Sequence, residues 1–243
     1  MTKAVIIIIV VVVVAAGIAT AVLLGGWPGI LLGSGNLETK EYAFADFTAI
    51  EISSAFQFEV EQSGSFSINI TADDNAMDYV QVVKEGQTLK IGFQNAPGFR
   101  RITLKAWITL PHLRGLTVSG ASRGTISGFS SSEDLDVAVS GASRLTGDIT
   151  AGSADFAISG ASTIQLEGAA NDMVAEVSGA SRLNLEDFLV DNADVNISGA
   201  STGTINLTGR LHANVSGAST LLYIGEPTMG DISVTGASTL RQK

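Results

Sequence analysis

A four-residue motif, Ser-Gly-Ala-Ser, recurs through the C-terminal half of this 243-residue chain and constrains its fold more than any other feature. The copies are 18 to 21 residues apart, and a seventh copy begins with Thr235 in place of serine. The first six copies begin at Ser119, Ser140, Ser159, Ser178, Ser198 and Ser216. A unit this short cannot hold two strands and a crossover helix, because the helix alone takes about a dozen residues. The repeat therefore predicts one coil of a β-solenoid per copy.

The residues before each motif alternate between apolar and polar, which is typical of a strand with one buried face. The position just before the motif is always β-branched: Val118, Val139, Ile158, Val177, Ile197, Val215 and Val234. Two residues earlier the chain is again apolar, as in Leu116 and Phe156, and after the motif Leu145 and Leu166 mark a second inward strand. We predict that the seven β-branched residues form one buried stack.

The motif itself predicts a narrow corner of the coil. Glycine and alanine fit where the backbone bends and no bulky side chain can enter, so we expect the motif glycines, such as Gly179, to line one edge of the solenoid. The two serine columns are interpreted as hydrogen-bonding ladders that satisfy backbone groups at the corner, not as nucleophiles.

The N-terminal segment is strongly apolar. From Ala4 to Leu24 every residue is apolar or small except Thr20. About 20 residues at roughly 1.5 Å each match a hydrocarbon core of about 30 Å, so segment 4–32 predicts a transmembrane helix or signal anchor. A cleaved secretory signal is the alternative, although its apolar region is normally about 7–15 residues long. Lys3 before the span predicts a cytoplasmic tip, residues 1–3, and an extracytoplasmic β-helix at the cell surface.

The remaining residues complete the predicted organisation. Residues 33–42 are predicted as a linker, and residues 43–111 as irregular opening rungs with a capped helical turn from Asp73 to Tyr79. Residues 112–243 are predicted as the repeat solenoid, continuous with the opening rungs. The predicted fold class is therefore all-β: a single-stranded parallel β-helix of about 19 residues per coil, preceded by an N-terminal transmembrane helix.

Composition excludes several classes of function. The net charge is −10 and the basic residues are scattered, so the chain has no basic face that could neutralise the phosphates of a nucleic acid. There is no cysteine, which excludes thiol chemistry and thiolate metal sites. The two histidines, His112 and His212, lie five repeats apart, so they do not form a shared metal or base site. No catalytic residue, cofactor or metal is predicted.

Three arginines are the candidate ligand site. The fourth position after the first motif serine holds Arg123, Arg144 and Arg182, and threonine in the other units. Stacked arginines could bind a carboxylate or a sulfate, although like charges also occur on ordinary solvated faces. Stacked carboxylates at Asp136 and Asp155 could share a calcium ion, but the column lacks Asp in three units, so solubility is the simpler interpretation.

Glycosylation is a further candidate modification. Four asparagines begin an Asn-x-Ser/Thr sequon: Asn69, Asn196, Asn206 and Asn214.

The repeats, together with the stretch from Phe47-Thr48-Ala49-Ile50 to Leu89-Lys90-Ile91, resemble the family described as "putative auto-transporter adhesin, head GIN domain" over roughly residues 43–243. The family name refers to a Gly-Ile-Asn tripeptide, where this chain has Gly-Ala-Ser. The resemblance implies a β-helical fold and a location in the cell envelope, and it implies no known reaction.

The predicted function is a non-catalytic adhesion or binding module for a glycan or another cell-surface ligand. One alternative is a structural or envelope-sensing component that self-associates, and a less favoured one is a polysaccharide lyase or hydrolase. The seventh unit keeps the full repeat pattern with inward Ile232, Val234 and Leu240. We expect these residues to form an uncovered rung that pairs with a second copy of the chain.

Overall fold

The computed structural model describes residues 31–93 and 98–243, which form an all-β solenoid of about seven turns. The opening part holds the helical turn α1 (Asp74–Met77) and strands β1 (Leu31–Leu32), β2 (Leu37–Glu41), β3 (Ala49–Ile52), β4 (Gln57–Gln62), β5 (Ser67–Asp73), β6 (Val80–Glu85), β7 (Thr88–Phe93), β8 (Phe99–Arg100) and β9 (Leu104–Leu110). The repeats hold β10 (Gly115–Val118), β11 (Arg123–Ser130), β12 (Leu135–Val139), β13 (Arg144–Thr150), β14 (Ser153–Ile158), β15 (Thr163–Val177), β16 (Arg182–Ile197), β17 (Thr202–Leu207), β18 (Arg210–Val215), β19 (Thr220–Ile224), β20 (Thr228–Val234) and β21 (Thr239–Gln242).

Successive repeats stack as parallel strands in register. The strand before the motif pairs with its counterpart one coil later, as β10 does with β12 and β12 with β14. The strand after the motif does the same, from β11 to β13 and on to β15. Each sequence column therefore becomes a row of side chains running along the solenoid axis, at about 4.8 Å per coil. The prediction of a parallel β-solenoid is confirmed for the repeats.

The β-branched column is buried in six of its seven members. From Val118 to Val215 the side chains are at most 2% exposed, whereas Val234 is 43% exposed. The prediction was wrong for Val234, because β20 pairs only with β18 among the described strands and leaves its other edge uncovered. The same column continues upstream through Ile52 and Ile91, which were not assigned to it from the sequence.

The corner has the predicted chemistry. Gly179 has a φ of +79°, and a Cβ atom there would lie 2.4 Å from the carbonyl oxygen of Gly160. Ala180 N donates to that same oxygen at 2.8 Å. The Ser181 hydroxyl accepts a hydrogen bond from Ser162 N at 3.5 Å and donates to Gly160 O at 3.4 Å. The steric role of glycine is therefore confirmed, and so is a hydrogen-bonding ladder in the column of the second motif serine from Ser162 onward, whereas the buried hydroxyls of Ser122 and Ser143 in that column have no partner among the described residues.

The opening part is less regular than the repeats. β3 and β4 continue the parallel solenoid, but β5 pairs antiparallel with β2 and β9, and β6 pairs antiparallel with β7. A purely parallel fold was therefore the wrong expectation here, because β6 and β7 form a hairpin and β5 runs antiparallel to both of its neighbours. The buried apolar residues still form one continuous core from Phe47 to Leu221.

Two local predictions in the opening part need correction. Residues 33–42 were predicted as a linker, but Leu37–Glu41 form strand β2 against β5. The helical turn α1 exists, yet the Asp73 side chain does not cap it. The Asp73 carboxylate instead accepts hydrogen bonds from Gly35 N at 2.7 Å and Thr103 N at 2.6 Å, so it ties two loops together.

The predicted transmembrane helix is not supported. In residues 31–93 and 98–243 no helix is long and apolar enough to span a membrane. Most of the predicted segment, residues 4–32, lies outside the described residues. Its last two residues form strand β1, which pairs in parallel with β8, where a helix end was expected. For residues 31–93 and 98–243 the fold class is therefore corrected to an all-β solenoid of about seven turns.

Candidate functional site

A row of basic side chains runs along the outer face of the solenoid. In consecutive rungs the strand register aligns Lys105, Gln57, Arg123, Arg144, Thr163 and Arg182, which we call the basic column. Each member lies at an outward position beside a buried residue such as Leu145. Gly124 shows how tightly that neighbouring inward row is packed, because a Cβ there would lie 2.3 Å from the ring of Phe58. The buried row thus holds the basic column outward.

A second row lies two residues further along the same strands and carries no cation in these rungs. The register aligns Asn69, Trp107, Glu59, Thr125 and Thr146, which we call the polar column. Because alternate residues share one face of a sheet, the two columns lie side by side at about 6.6 Å. The Trp107 side chain is 43% exposed, although tryptophan is usually well buried.

The two columns enclose an open groove of about 480 Å³, which we call the basic groove. Lys105, Arg123 and Arg144 line it from the basic column, and Trp107 and Glu59 line it from the polar column. The groove therefore combines three cations, one aromatic ring and one carboxylate on a rigid sheet surface.

In residues 31–93 and 98–243 the groove cations have no charge partner. Among the described residues, no carboxylate forms an ion pair with Lys105, Arg123 or Arg144. Elsewhere basic side chains do pair: Lys90 Nζ lies 2.7 Å from a carboxylate oxygen of Glu85, and Arg114 lies 3.4 Å from Glu133. The hydrogen bond to Glu85 raises the pKa of Lys90. The positive charge of the groove is thus left available to an external anion.

The structure brings together only part of the predicted arginine ladder. Arg123 and Arg144 are direct neighbours, whereas Arg182 follows one rung beyond Thr163 and does not line the groove. Lys105 and Trp107 were not predicted as site residues. They belong to β9, outside the repeats, and only the register through β4 places them in line with Arg123. That these arginines bind a ligand stays a prediction.

The aspartate column is aligned as expected, but nothing here marks it as a metal site. Asp136 and Asp155 are neighbours in adjacent strands. Burial, and then the nearby charges of Asp136 and Asp134, raise the pKa of Asp155. Within the described part of the chain no three His, Cys, Asp or Glu side chains are grouped to hold a metal ion. The Asp155 carboxylate therefore destabilises the fold when it is charged.

The four sequon asparagines lie in different surroundings. Asn196 and Asn214 are exposed neighbours on adjacent rungs. Asn206 is half-buried, and its amide nitrogen donates to Glu186 O at 3.0 Å. Asn69 borders the basic groove and donates to Ser67 Oγ at 3.0 Å. Only Asn196 and Asn214 therefore present free amides on an open surface.

Three solved bacterial proteins share this fold. A "putative adhesin" from Bacteroides fragilis NCTC 9343 superposes with a TM-score of 0.82 at 22% identity, over 88% of this chain and 100% of its own. A "putative adhesin" from Parabacteroides merdae ATCC 43184 has a TM-score of 0.68 at 22% identity, over 88% and 98%. A "putative lipid binding protein" from Parabacteroides distasonis ATCC 8503 has a TM-score of 0.67 at 22% identity, over 88% and 100%. At these identities the likeness shows the fold alone.

No curated protein matches the chain. One family profile does match it, across residues 46–227, which includes β3, β4 and β9 as well as the first six motifs. Because this match spans well over half of its length, the chain belongs to the family described as "Putative auto-transporter adhesin, head GIN domain".

Proposed function

We propose that this chain is a non-catalytic binding module of the cell surface that holds an anionic ligand in its basic groove. The observation that carries the proposal is a set of cations with no ion-pair partner among the described residues, Lys105, Arg123 and Arg144, beside the exposed Trp107. The family description and the two adhesin relatives support adhesion as the biological role. The proposal keeps the predicted arginine pair and adds the two residues from β9.

The chemistry of the groove favours binding over hydrolysis. Glycoside hydrolases typically use a pair of carboxyl groups flanking the scissile bond, one as acid and the other as base or nucleophile. Among the described residues that line the basic groove, Glu59 is the single carboxylate. Arginine and lysine supply charge-assisted hydrogen bonds to carboxylates or sulfates, which holds a ligand without breaking a bond in it.

The test is adhesion by a charge-matched pair of variants. The full-length chain is coupled to beads, and binding to cells and to a glycan panel is scored. A groove variant carries Lys105→Ala, Arg123→Ala and Arg144→Ala, and a control variant carries Lys84→Ala, Arg210→Ala and Arg241→Ala. Because both lose three positive charges, general electrostatics affects them equally. We expect binding to be lost only in the groove variant, and equal loss in both would contradict the proposal.

Self-association is a second candidate function, favoured by the seventh rung. There Met229, Ile232 and Val234 are 44%, 39% and 43% exposed. Of the described strands, only β18 pairs with β20, so one edge of β20 keeps free backbone donors and acceptors. A second copy, related by a two-fold axis, would cover that edge and those side chains. Sedimentation of the full-length chain should show a dimer that Ile232→Lys dissociates, and a monomer at tens of micromolar would contradict this candidate.

A further inference from the structure

We infer that the ligand of the basic groove is a linear acidic polysaccharide lying along the solenoid axis, with acidic groups held at three points from Lys105 to Arg182. This inference rests on the proposed function and names the chemical class of the ligand. It is carried by the spacing of the cations in the basic column and by the composition of the polar column beside it.

The spacing of the cations is symmetric about the arginine pair. Arg123 and Arg144 occupy adjacent rungs, and two like charges about 4.8 Å apart are relieved when one anion lies between them. Lys105 lies two rungs before Arg123, and Arg182 lies two rungs after Arg144. Each outer cation is thus two and a half rungs from the centre of the pair, which is about 12 Å. A ligand with three regularly spaced acidic groups would meet all four cations.

The polar column favours a sugar chain over other polyanions. Glu59 accepts hydrogen bonds but repels anions, so it suits a ligand that carries hydroxyl donors next to its acidic groups. Thr125 and Thr146 provide further hydroxyls in the next two rungs. The exposed Trp107 indole offers an apolar face for the face of a sugar ring. Polyphosphate has acidic groups but neither hydroxyl donors nor an apolar ring face, so it would gain little from this column.

The orientation follows from these two rows. The acidic groups would face the basic column and the ring hydroxyls would face the polar column, about 6.6 Å away. Full contact needs a chain that spans the six rungs from Lys105 to Arg182, which are five spacings or about 24 Å. Affinity should therefore depend on the length of the ligand up to that limit.

The test is calorimetric titration of the full-length chain, in mild detergent because of its apolar N-terminal run, with oligogalacturonates of increasing length. We expect affinity to rise until the oligomer spans about 24 Å and then to level off. Arg182→Ala should weaken long oligomers about tenfold and leave short ones unchanged, while Arg144→Ala weakens both. Arg210→Ala, with the same change of charge, should weaken neither. Trp107→Ala should weaken oligogalacturonate about fivefold and leave polyphosphate unaffected.

Three results would overturn the inference. If the affinity does not depend on the length of the oligogalacturonate and Arg182→Ala has no effect, the groove binds only a single acidic group. Polyphosphate that binds as tightly as oligogalacturonate would make the groove a general polyanion site. Binding of neutral oligosaccharides that is lost in the groove variant would place the binding site in the groove but refute an anionic ligand, and with it both the inference and the proposed function. If neither cells nor any glycan bind the unaltered chain, the proposed function itself fails.

Discussion

Gly179→Ala tests the corner on which every rung depends. The added Cβ would lie 2.4 Å from Gly160 O and 3.0 Å from Gly160 N, both of them backbone atoms of the adjacent rung. Backbone cannot rotate away as a flexible side chain can, so the two rungs must separate. Separation in turn strains the 2.8 Å hydrogen bond from Ala180 N to Gly160 O.

The expected cost has three sources. The left-handed φ of +79° costs a residue with a Cβ about 1–2 kcal/mol. Overpacking against a rigid neighbour costs about 1–3 kcal/mol, and a weakened backbone hydrogen bond costs about 0.5–1.5 kcal/mol. We therefore expect Gly179→Ala to lower the free energy of unfolding by about 3–6 kcal/mol.

Two other glycines separate these sources. Gly86 also has a positive φ, +59°, but a Cβ there meets nothing within 4 Å, so Gly86→Ala should cost only the conformational strain of about 1–2 kcal/mol. Gly64 has neither a positive φ nor a close neighbour, so Gly64→Ala should be nearly neutral. Urea unfolding followed by far-ultraviolet circular dichroism measures all three. Equal losses for Gly179→Ala and Gly86→Ala would refute the steric argument for the corner.

Three further predictions concern the columns. Ile197→Ala should lower the free energy of unfolding by about 2–5 kcal/mol, because the side chain is 1% exposed and its loss leaves a cavity. Ser181→Ala should cost about 1–3 kcal/mol by leaving Ser162 N unpaired, whereas Ser143→Ala should stabilise, because that buried hydroxyl has no partner among the described residues. Asp155→Asn should stabilise at about pH 7 and lose this advantage below the usual carboxyl pKa of 3.8, because the raised pKa makes the folded state bind the proton more tightly. Thermal unfolding at about pH 7 measures the change in stability of each variant, and for Asp155→Asn the measurement is repeated below pH 3.8. A change of opposite sign contradicts the prediction concerned.

The repeats could be predicted from the sequence because each column of equivalent residues has one structural role. The β-branched residue before the motif is buried, and the motif glycine forms the corner. The spacing of about 19 residues between motifs is therefore the number of residues in one coil. The opening rungs have the same geometry but a different amino-acid sequence. Ser53-Ser54-Ala55-Phe56 occupies the corner between β3 and β4, with Ser54 and Ala55 at positive φ, like Gly120 and Ala121 in the first motif. Ser54 and Phe56 stand where the motif has glycine and serine, so the sequence showed no copy of the motif and this rung was missed.

The candidate site was only half predictable for a related reason. Arg123 and Arg144 share a motif position, which made their alignment visible in the sequence. Lys105 and Trp107 lie beside the arginines because β9 pairs in parallel with β4 and antiparallel with β5. Pairing between strands so far apart in the sequence produces no repeat that sequence analysis could detect. Strand register is decided by which apolar residues reach the core, and in β9 these are Leu104, Ala106, Ile108 and Leu110.

Because of the position of the basic groove, ligand binding does not depend on how many repeats follow Arg182. Each later coil adds a rung beyond Arg182, where the basic column continues as Thr202, Thr220 and Thr239. The rungs that hold Lys105, Trp107 and Glu59 come from the opening part, which occurs once in the part of the chain that the structure describes. In a solenoid each coil contacts mainly its neighbours, so coils can be gained or lost at a distance without disturbing the groove. The opening part and the first repeats therefore set the chemistry of the ligand site, whereas the repeats after Arg182 add only to the length of the rod.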